Sequence, residues 1–148
     1  MKDIECIIRK TYQKEISGFV SVLLRRDVNK LLHKPFVITQ LQLRAVGFVC
    51  RFVAYSYVFY VNNLRPPECT FYDLRNMYYY GISKFHKKWV NIVRKIDTKV
   101  NYYLSRYVKD IIEELKNRIE LTYKGLHVKS VGNGFVITEA KVEHCLIF

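Results

Sequence analysis

From Ile38 to Asn63 the chain reads ITQLQLRAVGFVCRFVAYSYVFYVNN, with no acidic residue, no proline and one glycine. One polar line runs along it through Gln40, Arg44, Gly47, Arg51, Tyr55 and Asn62. Its steps of three, four and seven match a helix rather than a strand. Thr39 is placed to cap the start, and Pro66-Pro67 bar continuation past the end. A helix apolar all round but for one stripe belongs in the middle of a bundle or in a membrane. The apolar run from Ala45 to Val61 carries Arg51 near its centre and is 17 residues long. A span needs roughly 20 residues, and a mid-span arginine costs several kcal/mol unless it is paired or wet. Flanking charge is positive on both sides and gives no topological instruction. A core helix is therefore expected, and a membrane partner is not.

The rest of the chain supplies the companions. Residues 3–33 read as one amphipathic helix, with Ile4, Ile7, Ile8, Tyr12, Ile16, Phe19, Val20, Leu23, Leu24, Val28, Leu31 and Leu32 in helical phase. Ser17-Gly18 is its one place to bend, and Pro35 stops it. Asp3 and Glu5 suit its positive end, and Lys30, His33 and Lys34 its negative end. A loop over Asn63 to Cys69 precedes Thr70 and Asp73, a variant capping box. Apolar phase then passes from Phe71 through Trp89 and Ile96 to Ile119. Asp97-Thr98 are suited to cap a separate helix, which divides the region into helices near 70–96 and 98–123. Unbroken phase favours one rod instead, bent near Gly81. After Gly125, LHVKSV and FVITEA flank a Gly-Asn-Gly turn and predict a hairpin, with KVEHCLIF as a candidate third strand. An unpaired hairpin edge is a candidate assembly surface. The fold class that follows is mainly α, a bundle of long amphipathic helices around the 38–63 helix with a C-terminal β-hairpin. A chain of 148 residues is expected to form it as a single domain.

A net charge of +12 and a pI near 9.6 point to anionic partners, nucleic acid first and anionic lipid second. The densest patch is Lys84, Lys87, Lys88, Arg94, Lys95 and Lys99 against the single Asp97, a local charge of plus five. Lys84, Lys88, Asn91 and Lys95 share one helical face, from which cations reach successive phosphates. Arg25, Arg26 and Lys30 lie on the wet side of the first helix and are candidates for the same role, against the plain reading of a solvated face. Arg44 and Arg51 sit in apolar surroundings and need partners. Two readings stay open for them: phosphates in a groove, approached closely at Gly47, or the carboxylates of Asp110, Glu113, Glu114 and Glu120. Tyr78, Tyr79 and Tyr80 offer aromatic surface for a subunit contact or for base stacking.

Catalytic signatures are lacking. There is no Gly-rich phosphate loop, nucleophile elbow or redox pair. Glu139-Ala-Lys141 matches half of a metal-dependent nuclease pattern, but the preceding strand has no aspartate. Cys6, Cys50, Cys69 and Cys145 form no short metal spacing, and His127, His144 and Cys145 match no zinc pattern, so no metal or cofactor is expected. Cys6 and Cys50 are expected to pack as small hydrophobes. The terminal Cys145-Leu146-Ile147-Phe148 formally fits a prenylation box but continues a strand-like alternation. Charged residues recur through the first fifteen positions and argue against a secretory signal, so a cytoplasmic protein is expected, or a virion component.

In overall design (long helices, aromatic surface, strong positive charge) the first 120 or so residues resemble the coat proteins of filamentous archaeal viruses. That resemblance implies a small helical protein that wraps duplex DNA and assembles with copies or paralogues of itself. It carries over no individual residue, and the hairpin departs from it. Two other classes compete: a dimeric DNA- or RNA-binding regulator and a peripheral membrane protein. A typical helix-turn-helix has shorter helices than these.

Overall fold

The computed structural model describes residues 2–61, 87–123 and 125–139, with side chains for 3–58, 91–123 and 125–139. The described chain is mainly helical and ends in a small antiparallel sheet. Two compact units share it: residues 1–15 with 41–105, and residues 16–40 with 106–148.

Helix α1 (Lys2–Leu24) begins with Asp3 and Glu5 in its first turn, where the helix dipole favours acids. The helix expected over 3–33 is in fact two. Asp27 is extended and its carboxylate accepts from the Asn29 N–H at 3.0 Å, capping a second helix, α2 (Val28–Leu31). Hydrophobic phase runs straight through this joint because Val28 is buried like the residues before it. A side chain that captures backbone donors ends a helix without disturbing the apolar period. Ser17-Gly18 lies within α1.

In the first unit α1 contributes Ile4, Ile8 and Tyr12 to the core. Helix α3 (Gln40–Val61) adds Val46, Cys50, Ala54, Tyr55 and Val58, and helix α4 (Lys87–Ser105) adds Val93, Ile96 and Val100. Tyr12 and Tyr103 meet with ring centroids 4.8 Å apart. The polar line of α3 divides: Gln40 and Arg44 are exposed, whereas Gly47 and Tyr55 are buried and Arg51 half-buried. Leu41 and Phe48 keep apolar surface in solvent.

The expected boundary at Asp97-Thr98 is overturned, since both lie inside α4. The interruption comes at the single residue Arg106, followed by α5 (Tyr107–Thr122). Ser105 Oγ donates to the Tyr102 carbonyl at 2.6 Å, the acceptor that a continuous helix would give to the Arg106 N–H. Helical bonding resumes at once, with Asp110 N–H to Arg106 O at 2.9 Å. A one-residue lapse of this kind leaves no trace in the hydrophobic phase. Gly81 and the cap at Thr70 lie outside the described residues.

In the second unit Ile16, Val20 and Leu23 of α1 and Ile111, Leu115 and Ile119 of α5 are buried, and α5 packs on the sheet. The hairpin forms as expected, as β2 (Leu126–Val131) and β3 (Gly134–Glu139). In its two-residue turn Gly132 has a φ of 55°, the left-handed value that a primed hairpin turn requires at this position. A third strand, β1 (Phe36–Val37), pairs antiparallel with β3, giving the order β1-β3-β2. It comes from the stretch between Pro35 and the central helix, where no strand is expected; the 141–148 segment lies outside the described residues. A β-carbon at Gly134 would overlap the Phe36 carbonyl oxygen, so only glycine admits this strand. His33 takes a left-handed φ of 63° and donates its N–H to Ile137 O at 2.8 Å, leading the chain onto the sheet edge. Among the described residues no helix is long and apolar enough to cross a membrane.

Candidate nucleic-acid interface

Helix α4 has two faces because its apolar residues recur at 93, 96 and 100. Asn91, Arg94, Lys95 and Thr98 fall on the opposite side and are exposed. Lys87 and Lys88 belong to its first turn, though their side chains, like the whole of Lys84, lie outside the described residues. Lys99 stands between the faces. Its Nζ is 3.9 Å from Glu5 Oε1 and 5.6 and 5.9 Å from the ring centroids of Tyr102 and Tyr103.

Asp97, the one acid in this basic run, turns the other way. Its Oδ1 accepts from Arg51 Nε at 3.3 Å and from the Tyr55 hydroxyl at 2.6 Å, and Arg51 Nη2 also donates to Asn101 Oδ1 at 2.7 Å. The guanidinium folds back over Gly47, where a β-carbon would stand 2.9 Å from Arg51 Nη1 and 2.9 Å from Leu104 Cδ1. Gly47 therefore makes room for an arginine of its own helix. Of the two readings for Arg51, an internal carboxylate is the one found. The carboxylate is Asp97, outside the acidic group considered from sequence. Within that group Glu114 binds Arg118, and Asp110 lies 3.9 Å from Arg106.

This inward turn shapes the outer face. With Asp97 engaged by Arg51, Arg94 and Lys95 have no ion-pair partner among the described residues. The two flank a groove of about 420 Å³ lined by Ile4, Glu5 and Ile8 of α1 and by Arg94, Lys95, Thr98 and Lys99 of α4. Arg44 is exposed on α3 and likewise has no such partner.

In the second unit Arg25, Arg26 and Lys30 are all exposed. The two arginines help line an open cleft with Asp27, Asn29 and Tyr123. Arg118, which sequence reading did not single out, is fully engaged. It donates to Glu114 Oε1 at 2.9 Å, Ser21 Oγ at 2.8 Å and Ser17 Oγ at 2.7 Å. The i,i+4 spacings of Glu114–Arg118 and Ser17–Ser21 were signals that could have found it. Thr98 and the α1 side of the groove carried no such signal, being set by packing alone.

No family model, curated protein or solved structure matches the chain. Among the described residues no three His, Cys, Asp or Glu side chains gather as a metal set. Cys50 is a buried thiol whose pKa is pushed up to about 11, first by desolvation and then by Glu15, with Arg51 pulling the other way. At neutral pH it stays protonated and inert. Cys69 and Cys145 fall outside the described residues.

Proposed function

We propose that the protein is a non-enzymatic, sequence-tolerant nucleic-acid-binding protein, a coat or nucleocapsid subunit that wraps DNA and assembles with copies or paralogues of itself. The observation that carries this reading is the uncompensated outer face of α4. Arg94 and Lys95 stand exposed while the neighbouring acid is engaged inside, in a chain with a net charge of +12. Cations left free along a rigid helix release counterions when they meet phosphates, a term indifferent to base sequence. Exposed Leu41 and Phe48 on α3 are apolar surface of the kind that subunit contacts cover. Helices of 23, 22 and 19 residues favour a coat over the short recognition helix of a regulator.

The test is binding to mixed-sequence duplex DNA at rising salt, paired with negative-stain microscopy with and without DNA. Steeply salt-dependent binding and DNA-dependent filaments are expected. Discrete particles of fixed size would replace the coat by a regulator. Indifference to both DNA and RNA at low ionic strength would remove the reading altogether.

A further inference from the structure

We propose that the α1–α4 groove of the first unit seats the phosphodiester oxygens of a nucleic-acid backbone, with Glu5 as a built-in competitor that holds Lys99 until phosphate displaces it. The assignment deepens the nucleic-acid reading and rests on it.

The chemistry of the lining carries the proposal. Arg94, Lys95, Thr98 and Lys99 are spaced i, i+1, i+4 and i+5, so one helix presents three cations and a hydroxyl donor to one groove. Ile4 and Ile8 form the opposite wall and are nearly shut off from solvent, so among the described residues Glu5 is the one polar competitor on that side. Three cations against one carboxylate leave a surplus of two positive charges in a groove of about 420 Å³.

The choice of backbone over base follows from what lines it. Among the described residues the lining contains no aromatic ring, and bases are held without hydrogen-bond readout by stacking on rings. Tyr102 and Tyr103 lie under the Lys99 ammonium and are not among the lining residues. The groove therefore recognises charge and hydrogen-bond acceptors that every nucleotide shares.

Glu5 has a distinct part. Its carboxylate is 3.9 Å from Lys99 Nζ, with the two side chains 63% and 35% exposed. A solvated pair at that distance is weak and opens at low free-energy cost. A phosphate oxygen entering between Arg94, Lys95 and Lys99 replaces a single carboxylate contact with several charge-assisted ones. Glu5 thus lowers affinity and keeps Lys99 ordered in the free protein.

The experiment titrates the full chain against a labelled mixed-sequence duplex and against a single strand of equal length, from about 50 to 200 mM salt. The proteins are the parent, an Arg94→Gln/Lys95→Gln double variant and Glu5→Gln, each first shown to melt like the parent. The double variant is expected to lower the magnitude of the slope of log K against log salt by about 1.8 on duplex, roughly 0.9 per lost phosphate contact. Glu5→Gln is expected to raise affinity roughly threefold at low salt, consistent with loss of a weak competing pair. If the parent binds DNA and both variants bind with the parent's slope and affinity, the groove is not a phosphate seat, while the broader reading stands. A parent that binds neither DNA nor RNA overturns both. Parent binding confined to phosphatidylserine vesicles and lost in the double variant overturns the assignment in favour of lipid headgroups.

Discussion

Arg44 and Arg51 are two turns apart on one helix, carry the same charge and sit in similar apolar sequence, yet their fates are opposite. Arg51 is held by Asp97 and Asn101 and lies over Gly47, with Tyr55 sharing its carboxylate. Arg44 is exposed, with no ion-pair partner among the described residues. The same contrast recurs on α4, where Asp97 turns inward and Arg94 and Lys95 turn outward. Paired cations stabilise the fold, and unpaired ones remain available to a ligand. Composition counts them alike.

The largest test of that division is a pair of substitutions. Arg51→Met takes the guanidinium from a half-buried carboxylate that Tyr55 still holds, and should lower stability by about 2 kcal/mol, less than for a fully buried pair because both side chains keep some solvent. Arg44→Gln should stay within about 0.5 kcal/mol of the parent in the same denaturant melts. Equal losses would erase the distinction. Next comes Tyr55→Phe, which deletes the 2.6 Å hydrogen bond to Asp97 from a side chain that is 1% exposed. A loss of about 1 kcal/mol is expected, and a loss near zero would mean that water replaces the hydroxyl.

Two glycines sharpen the comparison further. Gly47→Ala pushes on Arg51 and Leu104 and should cost about 1 kcal/mol, with less loss in an Arg51→Ala background because the two positions touch. Gly18 lies in the middle of α1 with nothing within 4 Å of an added β-carbon. Gly18→Ala should therefore stabilise by about 0.5 to 1 kcal/mol, as relief of helix-interior glycine does. Thermal melts that rank the two substitutions the other way would reject the close approach at Gly47.

The smallest effect is alkaline. Below pH 9, the ordinary thiol value, Cys50 is protonated whether folded or unfolded; between there and about 11 only the unfolded chain releases the proton. Stability should therefore fall as pH rises through that window, and fall less in Cys50→Ala. Arg51 draws the thiol value down, so Arg51→Met should move the Cys50 titration higher, whereas Arg44→Gln should leave it in place. The pH dependence of Cys50 alkylation, followed by peptide mass spectrometry, reads both.

Much of the architecture was legible from spacing. The apolar phases of α1, α3, α4 and α5 became buried faces, and the Gly-Asn-Gly turn became the hairpin, because burial periodicity and turn chemistry act on neighbouring residues. The joints were not legible. Asp27 starts α2 and Ser105 closes α4 through side-chain bonds to backbone that leave hydrophobic phase untouched. In the candidate site, the exposure of Arg94, Lys95 and Asn91 followed from their phase against Val93 and Ile96.

The amino-acid order alone, then, determined which stretches are mainly helical, which side of each is apolar and how much positive charge the chain carries. Tertiary structure decided which of those charges are used up. It set Asp97 against Arg51 across 46 positions of sequence, brought Glu5 within reach of Lys99 and drew Phe36–Val37 onto the sheet beside Gly134. Those outcomes depend on distances between side chains far apart in the chain. Local pattern fixes a residue's face on its own helix and says nothing about what stands opposite.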